Sequence, residues 1–179
     1  MFRNILLWGT VAGLIVGSIL FGTTVAMAGN PPPMAVGMLI GYSSMLIALS
    51  AVFVGMKRHR DQALGGVIRF WPAFGMGLGI SVVAGVFYVL AWEAALAYTG
   101  MDYMGEYAKH MIEQQRAKGM AAAELAKYAA EMEAFKRQYA DPMFRMPMTF
   151  TEIFPVGVLV SLISAALLRK PSFLPAKRG

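Results

Sequence analysis

Two carboxylates in otherwise uncharged apolar stretches are the first residues with chemistry to offer. Glu93 is the lone charge in residues 73–98, and Glu152 is the lone charge in residues 150–168. An ionisable group inside a membrane span is costly and often functional, so the two could bind a proton or a cation. Both fall near the expected outer ends of their segments, which favours two interfacial acids that reach water. His110 stands four residues after Glu106 and three before Glu113. That spacing can hold a divalent metal on one helix face, but no second histidine supports it, so no metal is expected. Met143, Met146 and Met148 form a short cluster whose thioethers would suit Cu(I). With 15 methionines in the chain, flexible filling of apolar gaps is the better account. The absence of cysteine excludes disulfides, thiolate metal sites and cysteine nucleophiles. No zinc-protease helix motif or glycine-flanked serine elbow occurs, and Gly65-Gly66 is followed by no phosphate-loop lysine. These residues point to a protein that is not an enzyme and carries no cofactor.

The elements that must position these side chains are membrane helices. The 179 residues are 58% hydrophobic and 15% charged, against about half and a quarter in soluble domains. Four apolar stretches, residues 5–28, 34–56, 73–98 and 150–168, are close to the roughly 20 residues needed to cross a hydrocarbon core. In hydrocarbon each must satisfy its own backbone, so each is a helix. The expected fold is therefore an all-α integral membrane domain over 1–179, with four transmembrane helices. Ala26-Met27-Ala28 resembles a signal-peptidase site, but the apolar run before it exceeds a signal peptide's usual core, so the first helix is expected to be retained.

Charge sets the expected orientation. Arg3, Lys57, Arg58, Arg60, Arg69, Arg169, Lys170, Lys177 and Arg178 all fall on one side of a four-crossing chain, against a single acid, Asp61. By the positive-inside rule that side is cytoplasmic and holds both termini. The net charge of +6 thus reflects topology, and without a basic stripe interleaved with aromatics no nucleic acid is expected as a partner. His59 and its basic neighbours Lys57, Arg58 and Arg60 could touch lipid phosphate, though anchoring is the simpler role. The connection Gly29-Asn30-Pro31-Pro32-Pro33 and the segment 99–149 then lie outside, the latter with seven basic and seven acidic residues.

That extracytoplasmic segment carries helical periodicity. Met104, Tyr107, Met111 and Ile112 recur at helix spacing, as do Leu125, Tyr128, Met132, Phe135 and Tyr139. Lys118-Gly119 reads as a stop between them, which predicts amphipathic helices over about 102–117 and 121–140, the second ended by Asp141-Pro142. Their apolar faces could pack on each other, on the membrane or on a partner. Within the membrane, small residues at four-residue spacing permit close helix contact. They include Gly37 and Gly41, Gly77, Ser81 and Gly85, and Gly157, Ser161 and Ala165. Gly9, Gly13 and Gly17 could serve a homo-oligomer through the first helix. Trp8, Trp71, Trp92 and Tyr98 read as interface anchors.

Met56-Lys57-Arg58-His59-Arg60-Asp61, Gly65-Gly66-Val67-Ile68-Arg69-Phe70 and the glycine-rich third helix carry a family resemblance. So do Phe154-Pro155-Val156-Gly157 and Leu168-Arg169-Lys170. Together they resemble a family of small bacterial four-helix membrane proteins known only as a domain of unknown function. The resemblance implies a bacterial inner membrane, cytoplasmic ends, an outward helical insert between helices three and four, and no transferable activity. The leading expectation is a non-enzymatic protein that acts through contacts with lipid or with a membrane or periplasmic partner. The rivals are a small transporter or ion-coupled module using Glu93 and Glu152, and an enzyme of lipid or envelope chemistry.

Overall fold

A computed structural model describes residues 1–29 and 32–176; part of the connection 29–33 and the basic residues Lys177 and Arg178 lie outside that description. The described residues form six helices: α1 (Phe2–Met27), α2 (Met34–Ala63), α3 (Phe70–Thr99), α4 (Tyr103–Ala117), α5 (Ala122–Tyr139) and α6 (Pro142–Leu168). Among them α1, α2, α3 and α6 are long and apolar enough to cross a membrane. Their outward faces carry exposed Leu14, Leu39, Ile47, Leu90, Leu159 and Ile163, while Ser81, Ser161, Ser164 and Arg60 are buried inside. This inside-out distribution suits a chain surrounded by lipid.

Two boundaries differ from expectation. The basic cluster 57–61 is not a turn, because α2 continues through it to Ala63 before Gly65 and Gly66, both at positive φ, reverse the chain. The fourth apolar helix begins at Pro142 and not near residue 150. Asp141 both follows α5 and caps α6, its carboxylate accepting from the Met143 backbone N–H at 2.9 Å, and Pro142 occupies the first turn. A proline at that position needs no hydrogen-bond partner for its nitrogen, so a pair that reads as a terminator is also an initiator. Pro155 consequently lies in the helix interior, not near its start.

Small residues set the packing. A Cβ on Gly9, Gly13 or Gly17 would meet Val83, Phe87 or Ala91, a constant offset that makes α1 and α3 parallel neighbours. The glycines considered for a homo-oligomer therefore face α3 of the same chain. Between α3 and α6 the arrangement is antiparallel and reciprocal: Gly77 receives Ser161, and Gly157 receives Ser81. The two serine hydroxyls stand 3.4 Å apart, and each also donates within its own helix, to the carbonyls of Gly77 and Gly157. Such close backbone approach is what drives helix association in lipid. A Cβ at Gly13 would stand 2.6 Å from the Phe87 Cβ, which cannot swing away. Gly13→Leu is expected to force α1 from α3 and lower stability by about 2 kcal/mol. Gly75→Ala, with nothing within 4 Å of its Cβ, should leave the melting temperature in detergent nearly unchanged.

At the end where α1 starts and α6 finishes, the chain closes on itself. Arg60 is 0% exposed. Its guanidinium donates to the carbonyls of Phe173 at 2.9 Å and Leu174 at 2.5 Å, and to the Asp61 carboxylate at 2.7 Å. Arg58 lies over the Trp8 ring, and His59 Nδ1 is 3.1 Å from the Asn4 amide nitrogen. Arg60 thus works inside the fold, whereas Arg3, Arg58, Arg69, Arg169 and Lys170 remain exposed.

Candidate functional site

The opposite end gathers the polar side chains. The last turns of α3 bring up Glu93, and the first turn of α6 brings up Arg145. They form a two-pronged ion pair, Nε to Oε1 at 2.7 Å and Nη2 to Oε2 at 2.5 Å, with side chains 18% and 14% exposed. The third guanidinium nitrogen donates to the Tyr139 carbonyl at 3.1 Å. The carbonyls that end a helix lack partners within it and attract a cation. Arg145 therefore joins α3, α5 and α6 in one contact, with its guanidinium 5.7 Å from the centre of the Tyr139 ring.

An aromatic seam lies alongside. The Trp92 indole N–H donates to the Tyr139 hydroxyl at 2.9 Å, and Tyr103 at the start of α4 meets Trp92 edge to face at 4.9 Å. Phe135 and Phe144 extend it. Burial pushes the Tyr139 phenol up to about 12, opposed by the Trp92 N–H and reinforced by nearby Tyr103 and Glu152. Burial also raises the Tyr103 phenol, with the Glu152 charge adding to it. The phenols are thus kept as neutral donors and acceptors across the physiological range.

The α4–α5 hairpin hangs from this seam. α4 and α5 pack against each other, with Met104 and Ala108 buried and Met111, Ile112, Tyr128 and Met132 half-buried, while Phe135 and Tyr139 of the second stripe join the seam. Asp102 caps α4 through the Gly105 N–H at 3.0 Å and receives Lys136 Nζ at 2.5 Å, which ties the helices at their base. The Lys136 ammonium, then the Gly105 N–H, hold the Asp102 carboxyl below the usual aspartate range. Gly119, at φ 82, makes the turn at the far end. The hairpin's outer surface is charged, with an open groove of about 320 Å³ lined by Lys109, Glu113, Arg116, Glu133 and Lys136 among others.

The expected site residues are distributed, not convergent. Glu93 is held by Arg145, whereas Glu152 accepts from the Tyr88 hydroxyl at 3.2 Å. The two acids are not at similar depth. Because α6 begins at Pro142, Glu152 lies about 15 Å along it, two turns beyond Arg145. His110, Glu106 and Glu113 are all exposed on α4, and among the described residues no three histidine, cysteine or acidic side chains gather closely enough to hold a metal. Met143, Met146 and Met148 sit on the first turns of α6, where Met148 projects to the opposite side from Met143. Arg145 and Tyr88 were not expected at this site, and Trp92 was expected only as an anchor. The Asp141-Pro142 start signal was the feature that could have placed Arg145 on the same helix as Glu152.

Four apolar helices in close small-residue contact, with a polar junction at one end, define an all-α multi-pass membrane protein. Within that class the chain belongs to the family described as "Protein of unknown function (DUF4199)", which it matches over residues 7–170. This agrees with the resemblance to an uncharacterised family read from the sequence motifs. No curated protein and no solved structure matches the chain.

Proposed function

We propose that this protein is a non-enzymatic component of a bacterial inner membrane that works by contact, with the α4–α5 hairpin as its recognition surface. Both termini are cytoplasmic in this reading, since the exposed cations cluster at the end closed by Arg60, and the hairpin stands on the extracytoplasmic side. The observation that carries the proposal is the joint at Arg145, which fixes the hairpin to two membrane helices through its base. A hairpin whose apolar side chains turn toward its own partner helix and the seam offers a partner its charges. A membrane or periplasmic protein of mixed surface charge is the matching occupant, and its binding should weaken as salt is raised.

The paired-carboxylate transporter reading loses its main support. Glu93 is neutralised by Arg145, and Glu152 answers to a different partner. The experiment is native mass spectrometry of the protein purified gently from its own membranes, beside Lys109→Glu/Arg116→Glu. Both substituted side chains are exposed, so the fold should persist. A stoichiometric protein companion with the wild type, lost in the variant, is the expected result. A companion retained equally by both, or a wild type that carries none, would sink the hairpin as the recognition surface.

A further inference from the structure

We propose that Glu152 is the anionic pole of a binding site for a primary ammonium group, delivered by the headgroup of a zwitterionic phospholipid that lies against the exposed flank of α6 beside Tyr88. The inference rests on residues apart from the hairpin's outer charges and does not depend on the preceding proposal.

The first ground is an uncompensated charge. Glu152 is exposed on the flank of α6, and among the described residues its carboxylate has the Tyr88 phenol as donor and no lysine, arginine or histidine as a pair. The cation two turns earlier on the same helix, Arg145, is committed to Glu93 through both prongs. A carboxylate at a bilayer-facing flank is costly without a counter-charge.

The second ground is what surrounds it. Tyr88 and Trp92 are four residues apart and share one face of α3. Tyr103 closes on the Trp92 ring, and Tyr139 is held to it by a hydrogen bond. Glu152 accepts from the Tyr88 hydroxyl at 3.2 Å, which places the carboxylate against the α3 face that carries Trp92 one turn further on. Of these rings Tyr103 is exposed and Trp92 half-buried, and accessible aromatic rings near a carboxylate are the chemistry that recognises an ammonium ion, by attraction to the ring quadrupoles and by a charge-assisted hydrogen bond.

The third ground is depth. Glu152 lies about 24 Å from the finish of α6, so with that finish at one edge of a hydrocarbon core of about 30 Å it lies roughly 6 Å inside the other. A headgroup ammonium can reach that level, and its N–H groups would serve the carboxylate oxygen that Tyr88 does not. A primary ammonium brings the donors for this, whereas a glycerol headgroup brings no positive charge.

The test is native mass spectrometry of the detergent-solubilised protein titrated with phosphatidylethanolamine or phosphatidylglycerol of identical acyl chains. The wild type should retain the ethanolamine lipid by about fivefold over the glycerol lipid. Glu152→Gln keeps an oxygen for the Tyr88 hydroxyl, so it should melt like the wild type yet lose the preference. Tyr103→Leu, at the edge of the ring cluster, should reduce it. Equal retention of the two lipids, or a preference unchanged in Glu152→Gln, overturns the proposal. So does saturable binding of free ethanolamine that matches the lipid, which would move the source to a soluble amine. A protein companion bound to the wild type and lost in Glu152→Gln would overturn it in favour of a partner's cationic side chain.

Discussion

Arg145→Ala is expected to loosen the α4–α5 hairpin from the bundle and to cost about 3 kcal/mol of stability. The substitution removes the two-pronged partner of Glu93, leaves that carboxylate mostly buried and unpaired, and strips the Tyr139 carbonyl of its donor. Breaking a desolvated pair from one side costs more than the pair itself contributes, because the surviving charge must be resolvated or protonated. Glu93→Gln should cost less, since arginine keeps its carbonyl acceptors and its place over Tyr139. The double variant should recover part of the Arg145→Ala loss, which a double-mutant cycle in detergent would register as a coupling of at least about 1 kcal/mol. Amide hydrogen exchange should localise the effect to α4, α5 and the first turn of α6. An Arg145→Ala protein with unchanged exchange there would show that the aromatic seam alone holds the hairpin.

Arg60→Ala carries a larger expected penalty, about 4 kcal/mol. The guanidinium is fully enclosed and serves the carbonyls of Phe173 and Leu174 together with the Asp61 carboxylate. Alanine would leave the two carbonyls without donors and Asp61 with Lys57 alone, and would open a void the size of the side chain. The tail from Arg169 to Ala176 should then detach, taking Phe173 from its edge-on contact with Phe53. Limited proteolysis from that end would detect it as trimming that stops at the end of α6. Lysine in place of arginine should rescue little, because a single ammonium cannot span acceptors that the planar fork reaches at once. If Arg60→Ala resists trimming as well as the wild type, the tail is held by its apolar residues instead.

The membrane helices were legible in the sequence because lipid imposes one demand throughout, an unbroken apolar run about 20 residues long. The amphipathic pair between the third and fourth of them was legible from its three-and-four spacing, but that spacing did not show that Phe135 and Tyr139 would leave the pair to pack on Phe144 and Trp92. What the sequence hid was pairing. Arg145 sits among seven basic residues in a charge-balanced segment, and nothing in its neighbourhood marks it off from Arg137 or Lys136. Only the antiparallel register of α3 and α6, set by the reciprocal Gly77–Ser161 and Ser81–Gly157 contacts, brings it opposite Glu93. Arg60 was hidden for a related reason. A basic cluster beside a membrane helix has a sufficient explanation in orientation, and burial of one member depends on a tail more than a hundred residues away. The glycines of α1 fit two partners equally well by spacing, and their choice of α3 is a matter of tertiary packing.

The uninterrupted length of α6 has a mechanical meaning. One end of this single rod is gripped by Glu93 through Arg145, and the carbonyl at its other end and the tail beyond it lie against Arg60. The two grips are in series, about 35 Å apart along one axis. A tug on the hairpin is therefore borne by the same element that carries the tail on the far side of the bundle. Pro147 and Pro155, each lacking a backbone donor, are the points where that rod has least resistance to bending.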